Sequence, residues 1–177
     1  MTKLISDHYV NQLYKLHHFK KSFGTAGKYK GLLNWFEKTQ PKSLVDYGCG
    51  KGQLMFNLQE KYPACEFTGY DPGIDAFKEL PTGTYDALIC TDVLEHIEPK
   101  YIDNVLQHIQ GLFNKSAFLI IDTVPARKFL ADGRNAHLIL ADQEWWTSKI
   151  ETQMPNVKIT KNVFNEKKKK IIMELVK

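Results

Sequence analysis

The stretch Leu44-Val45-Asp46-Tyr47-Gly48-Cys49-Gly50-Lys51-Gly52 decides the fold. Ser43–Tyr47 reads as a short apolar strand carrying one acid, and glycines then alternate at 48, 50 and 52. Leu54, Met55 and Leu58 restore a helical period that runs to about Tyr62. A strand that feeds a Gly-rich turn and a helix opens an α/β sheet, and such sheets bind ligands outside the carboxyl ends of their strands. Glycine permits the tight turn and lets a ligand approach the backbone. The dinucleotide fingerprint G-x-G-x-x-G does not fit, because the third glycine comes one residue early, and this disfavours a hydride-transferring enzyme.

Outward from this turn, strand and helix patterns alternate. Tyr9, Leu13, Leu16 and His17 predict a helix over Asp7–Phe19, and the 23–27 segment, with Gly24 and Gly27, breaks it. Tyr29, Leu32, Leu33 and Phe36 predict a second helix closed by Pro41. Further strands are expected at Glu66–Tyr70, Ala87–Thr91 and Ala117–Thr123, with helices at Tyr101–Phe113 and Glu144–Thr152. Val157–Phe164 and Lys170–Val176 read as two last strands, too close together for a helical crossover and therefore antiparallel. The expectation is a mostly parallel sheet covered on both faces by helices, a three-layer α/β sandwich with an antiparallel last strand. It forms one domain over 1–177, with a helical cap at 1–42 and the core at 43–177.

The 177 residues suffice for one core. No apolar run approaches a membrane span, and the N-terminus has no apolar signal core, so no membrane association and no export are expected. Cys49, Cys65 and Cys90 form neither a disulfide framework nor a C-x-x-C metal pair, which suits a reducing cytoplasm. Charge is uneven. Residues 1–42 carry eight lysines against Asp7 and Glu37, and 158–177 carry seven against Glu166 and Glu174, whereas the middle is acidic. The basic ends are read as solvated surface, with nucleic-acid contact as the alternative. Only Arg127 and Arg134 are arginines, the preferred phosphate fork.

Two more motifs carry chemistry. Asp71, in Phe67-Thr68-Gly69-Tyr70-Asp71-Pro72, ends the second strand beside the first turn, where an acid accepts both hydroxyls of a ribose. The strand ending at Thr91 delivers Asp92, Glu95 and His96 to the same crevice.

With these three motifs the chain resembles the class I S-adenosylmethionine (SAM)-dependent methyltransferases over about residues 28–177. Asp46-x-Gly48-x-Gly50-x-Gly52 is similar to their first motif, which holds the methionine end of SAM. Asp71 matches their ribose acid, and Asp92-Val93-Leu94-Glu95-His96 matches a D-V-L-E-H segment common in one branch. The resemblance implies a Rossmann-like fold, SAM as cofactor, and Asp46, Gly48, Cys49, Gly50, Gly52, Asp71, Asp92 and Val93 as its binding residues. One departure stands out. Only Gly73–Tyr85 separates the second strand from the Asp92 strand, so the family's third strand is expected to be short or missing. The adenine contact then has no assigned residue beyond the candidates Asp75 and Glu79.

For the acceptor, a base near the methyl is expected, and His137, His96 and Glu95 are the catalytic candidates. Trp145 and Arg134 are candidate substrate contacts, and the 23–30 segment is a candidate lid. His8, His17, His18 and His108 are read as surface residues. Metal-free chemistry is favoured; the alternative is a divalent metal on Asp92, Glu95, His96 and His137, two carboxylates and two imidazoles. The leading function is methyl transfer to O or N of a small or medium-sized acceptor. The alternatives are an RNA methyltransferase, in its sharpest form a metal-dependent 2′-O-methylating one, and a non-catalytic SAM-binding module.

Overall fold

The computed structural model describes residues 2–27, 29 and 31–177. Lys28 and Lys30, part of the candidate lid, lie outside the described residues. Helix α1 (Asp7–Phe19) comes first, capped by the Ser6 side chain, which accepts the Tyr9 N–H. Then follow α2 (Leu32–Thr39), β1 (Ser43–Tyr47), α3 (Gln53–Lys61), β2 (Glu66–Tyr70) and β3 (Tyr85–Thr91). The chain ends with α4 (Ile102–Leu112), β4 (Phe113–Asp122), α5 (Gln143–Gln153), β5 (Lys158–Asn165) and β6 (Lys170–Val176).

The six strands form one sheet in the order β2-β1-β3-β4-β6-β5. Strands β1 to β4 run parallel, and β6 lies antiparallel between β4 and β5. The expected third strand of the family is missing: between β2 and β3 only one 3₁₀ turn forms, Asp75–Phe77. Phe113, expected at the end of a helix, is instead the first residue of β4, which follows α4 with no loop. Its ring is fully buried, so packing fixes the switch.

Alternation along the strands sorts the core into two layers. Leu44, Ala87, Ile89, Phe118 and Ile120 face α2 and α3, meeting Trp35, Phe36, Leu54 and Leu58. Val45, Leu88, Leu119, Ile121 and Met173 face α4 and α5, meeting Leu106, Ile109, Trp146 and Ile150. A third, smaller cluster joins Tyr9, Leu13 and Leu16 of α1 to Leu130 and Ala136. Thus α1 packs on the β4–α5 connection, whereas α2 is part of a sheet layer. No helix among the described residues is long and apolar enough to cross a membrane.

Candidate active site

Strand β1 delivers Asp46 on the same face as Leu44, into a position only 2% exposed. Its Oδ2 has no hydrogen-bond partner. Burial first, and then the charge of Asp71, pushes its carboxyl up to about 7. The turn that follows is tied to the end of β2, because the Gly48 and Cys49 N–H groups both donate to Tyr70 O, at 2.7 and 2.9 Å. Gly48 has φ +79° and Gly50 φ +55°, left-handed conformations that favour glycine. The space their missing Cβ atoms leave is taken by the protein itself. A Cβ on Gly48 would fall 2.3 Å from Val93 Cγ2, and one on Gly50 would fall 2.6 Å from the Gly24 backbone. The Lys51 N–H also donates to Gly24 O at 2.8 Å, so the segment around Gly24 lies directly on the turn. The Cys49 thiol beside it is buried and pushed well up by that burial.

Asp71 is the hub of this corner. Its Oδ2 accepts the Gly50 N–H at 3.0 Å and its Oδ1 the Gly73 N–H at 2.9 Å. The His17 Nε2 of α1 lies 3.5 Å from Oδ1. His17 is therefore not a surface residue: it is 4% exposed, with its ring edge-on to Phe23. An ionised carboxylate offers about four acceptor positions, so a two-pronged hold on a ribose requires His17 to yield.

Asp92, just past β3, is a non-glycine residue at φ +56°. Both of its oxygens are engaged: Oδ1 lies 2.6 Å from Lys170 Nζ, and Oδ2 accepts the Tyr29 hydroxyl at 3.1 Å. Lys170 also reaches Asp122 Oδ2 at 3.4 Å. Two cavities flank this strand end. One, of about 90 Å³, is walled by Tyr47, Gly48, Asp71, Val93 and Ile97 under Leu13 of α1. The other, of about 170 Å³, is lined by Asp46, Cys49, Thr91, Tyr29 and Phe23. Gly24, Gly48, Asp92 and His96 border both, so together the cavities form one interrupted trough. Each is smaller than the roughly 300–1,000 Å³ of a ligand pocket; α1 and the 20–27 segment lie closed over it.

Glu95, His96 and His137 come together beside the trough. A carboxylate oxygen of Glu95 and one ring nitrogen from each histidine lie within 4.8 Å of one another. Glu95 is fully buried; one oxygen accepts the Asp122 N–H at 3.1 Å, and Oε2 has no partner. Its backbone carbonyl accepts the Leu138 and Ile139 N–H groups, which brings the chain after His137 alongside. His96 Nδ1 donates to Ala136 O at 2.8 Å, and His137 Nδ1 donates to Val124 O at 2.5 Å. The two rings meet edge-on at 4.7 Å. Burial, and then His137, pushes the His96 imidazole down to about 3. Asp92, the fourth of the candidate metal ligands, stands outside this group, held by Lys170 and Tyr29.

Trp145 and Arg134 line neither cavity. Trp145, 39% exposed, borders a separate open groove with Leu140 and Lys149, while Trp146 is buried in the core. Arg134 is exposed and clasps Asp132, at 3.0 and 2.7 Å. Phe23 and Tyr29 of the candidate lid reach the site, and so do two residues that the sequence did not single out for it, His17 and Lys170. His17 fell on the apolar stripe of α1, which is a signal of burial; Lys170 was hidden at the end of a four-lysine run.

A family profile described as "Methyltransferase domain" matches residues 20–162. No curated protein sequence matches the chain. Several solved structures share the fold. One is 1,6-didemethyltoxoflavin-N1-methyltransferase from Burkholderia thailandensis, solved with 1,6-didemethyltoxoflavin and S-adenosylhomocysteine (SAH), at 13% identity and TM-score 0.69. That match covers 100% of this chain and 92% of the other. Magnesium protoporphyrin IX methyltransferase from Synechocystis, with bound SAH, matches at 15% identity and TM-score 0.61, covering 96% and 87%. An O-methyltransferase family protein from Burkholderia thailandensis matches at 12% identity and TM-score 0.58, and there the chain spans 58% of the other's length. The chain belongs to the methyltransferase domain family, and its fold is that of the class I SAM-dependent methyltransferases.

Proposed function

We propose that this protein transfers the methyl group of SAM to an oxygen or nitrogen of a small-molecule acceptor. One observation carries the reading: two adjoining cavities at the strand ends, which share Gly48 and His96, bring together the unpartnered, buried Asp46 Oδ2, the glycine turn and Asp71. When bound, SAM supplies a methyl group on a positively charged sulfonium. Asp46 meets the methionine ammonium, and the Gly48–Gly52 turn seats the methionine chain. Asp71 accepts from the ribose, while Val93 and Ile97 give the adenine an apolar wall. Glu95, His96 and His137 face the acceptor. The toxoflavin enzyme of the same fold, crystallised with a small acceptor and SAH, supports a small molecule over a polymer. The three buried, free thiols fit a reducing cytoplasm.

Calorimetric titration with SAH tests this reading. The wild-type chain is expected to bind one equivalent, and Asp71→Ala to bind at least about tenfold more weakly, the order of one lost charge-assisted hydrogen bond or two. A folded wild-type chain that takes up no SAH overturns the proposal.

A further inference from the structure

We infer that Glu95, His96 and His137 hold a divalent transition-metal ion, and that the acceptor is a hydroxyl compound whose oxygen binds it. The inference deepens the methyltransferase reading and rests on it for the acceptor, but not for the ion.

Three observations point to a cation. First, the donor atoms already converge to within 4.8 Å of one another. Ligands to such an ion sit about 2.0–2.2 Å from it, so the side chains need close by only about an ångström. Second, both imidazoles are held in the ligating tautomer. Each donates its Nδ1–H to a backbone carbonyl, Ala136 O or Val124 O, and neither Nε2 has a hydrogen-bond partner among the described residues. A metal-bound histidine characteristically fixes its second nitrogen in this way. Third, Glu95 is fully buried with an unpartnered Oε2, and no cationic side chain among the described residues is paired with it. A carboxylate that is ionised at such depth is paired or binds a metal, and among the described residues Lys170 is taken up by Asp92 and Asp122.

The donor set also selects the ion. Two imidazoles and one carboxylate favour zinc, iron, cobalt or nickel over magnesium and calcium, which take oxygen ligands. Three protein ligands leave coordination positions open, as catalytic rather than structural sites do. His96 borders both halves of the trough, so an open position on an ion held there would face the space proposed for the cofactor. A hydroxyl bound to such an ion gives up its proton to water more readily. The oxygen's electron pair then forms the new O–C bond, and the S–C bond breaks with its pair passing to sulfur. Methyl ether and SAH are the products. This narrows the acceptor to oxygen and makes His96 and His137 ligands rather than bases.

The test uses the full-length chain and cobalt(II) alone, read by its visible absorption and checked by zinc displacement. One saturable equivalent per chain is expected. His137→Ala, a half-buried residue whose loss leaves the core intact, should weaken binding at least about tenfold, and His96→Ala should do the same. His18→Ala, on the outer face of α1, should leave it unchanged. No saturable cobalt binding overturns the inference, as does binding undiminished in both histidine variants. SAH titration of the same samples separates the two proposals. Cobalt failure with intact SAH binding sinks the metal alone; SAH failure with intact cobalt binding sinks the cofactor reading.

Discussion

Asp46 is the one acid in strand β1, and its surroundings turn that break in pattern into a titration. Being buried and near Asp71, its carboxyl sits at about 7 rather than in the usual acid range. From about pH 4 to about pH 7 the folded chain keeps a proton that the unfolded chain has released. The contribution of this group to stability therefore falls as pH rises across that window. Under the proposed function cofactor binding has the opposite sign, because an ammonium placed on Asp46 favours the ionised carboxylate. Wild-type affinity for SAM is expected to rise as pH climbs through about 7 and to level off above it. Asp46→Asn should flatten that slope between pH 6 and 8, and at pH 8 it should bind SAM about tenfold more weakly while melting higher than wild type, consistent with relief of a buried charge. Calorimetry and thermal melts over the series check both signs; a flat wild-type affinity profile would remove Asp46 from the ammonium site. At this scale the closeness of Asp46 and Asp71 at the glycine turn was legible, since both acids end neighbouring strands. His17 and Lys170 were not, because what they do depends on Asp71 and on Asp92, each far away in the chain.

Among the elements, β1, β2, β6 and α1 fall where their residue periods predict, because each pattern is bounded by a cap, a turn or a proline. The start of β4 does not, because Phe113 continues the apolar stripe of α4 and only tertiary packing decides between the two. That the third strand would be short or missing followed from setting the spacing against the family pattern: Gly73–Tyr85 is too short for two crossovers and a full strand. What spacing does not reveal is that α1 and the 20–27 segment close over the trough, with Gly24 against Gly50. That contact gives the element-scale prediction. Gly50→Ala places a Cβ 2.6 Å from Gly24 Cα and O, at a positive φ besides. The conflict is with backbone on both sides, so a side-chain adjustment does not relieve it. A stability loss of about 2–3 kcal/mol, the order of backbone strain plus overpacking, is expected in urea unfolding. SAH binding should drop by more than tenfold, and hydrogen exchange in α1 and at 20–27 should speed up more than in β3 or β4. Equal acceleration throughout the chain would mean that the turn is not coupled to the covering segment.

For the molecule as a whole, the order β2-β1-β3-β4-β6-β5 puts the last seven residues of structure inside the sheet rather than at its edge. Ile171, Met173 and Leu175 of β6 are all 0% exposed, and Lys170 at its start holds Asp92 and Asp122 at the trough. The C-terminal strand thus serves the core and the site together. Without it β4 would lose a full ladder of seven paired positions and β5 would have no neighbour in the sheet. The N-terminal segment is placed differently: α1 packs on the β4–α5 connection through a small cluster of its own and contributes no strand. The two ends should therefore fail in different ways. Removal of residues 167–177 is expected to abolish cooperative thermal unfolding, since burial of three large aliphatic side chains, each worth about 1.5–3 kcal/mol, exceeds what a marginally stable domain can lose. Removal of residues 1–20 should leave the sheet and a cooperative transition in place, at lower temperature, and should remove His17 from Asp71. SAH titration of that second variant then reports what the covering helix does. Weaker binding would make α1 part of the cofactor site, whereas tighter binding would mean that His17 competes with the ribose for Asp71. Loss of cooperative unfolding in the 1–20 deletion would show that the core extends into α1, against the packing described.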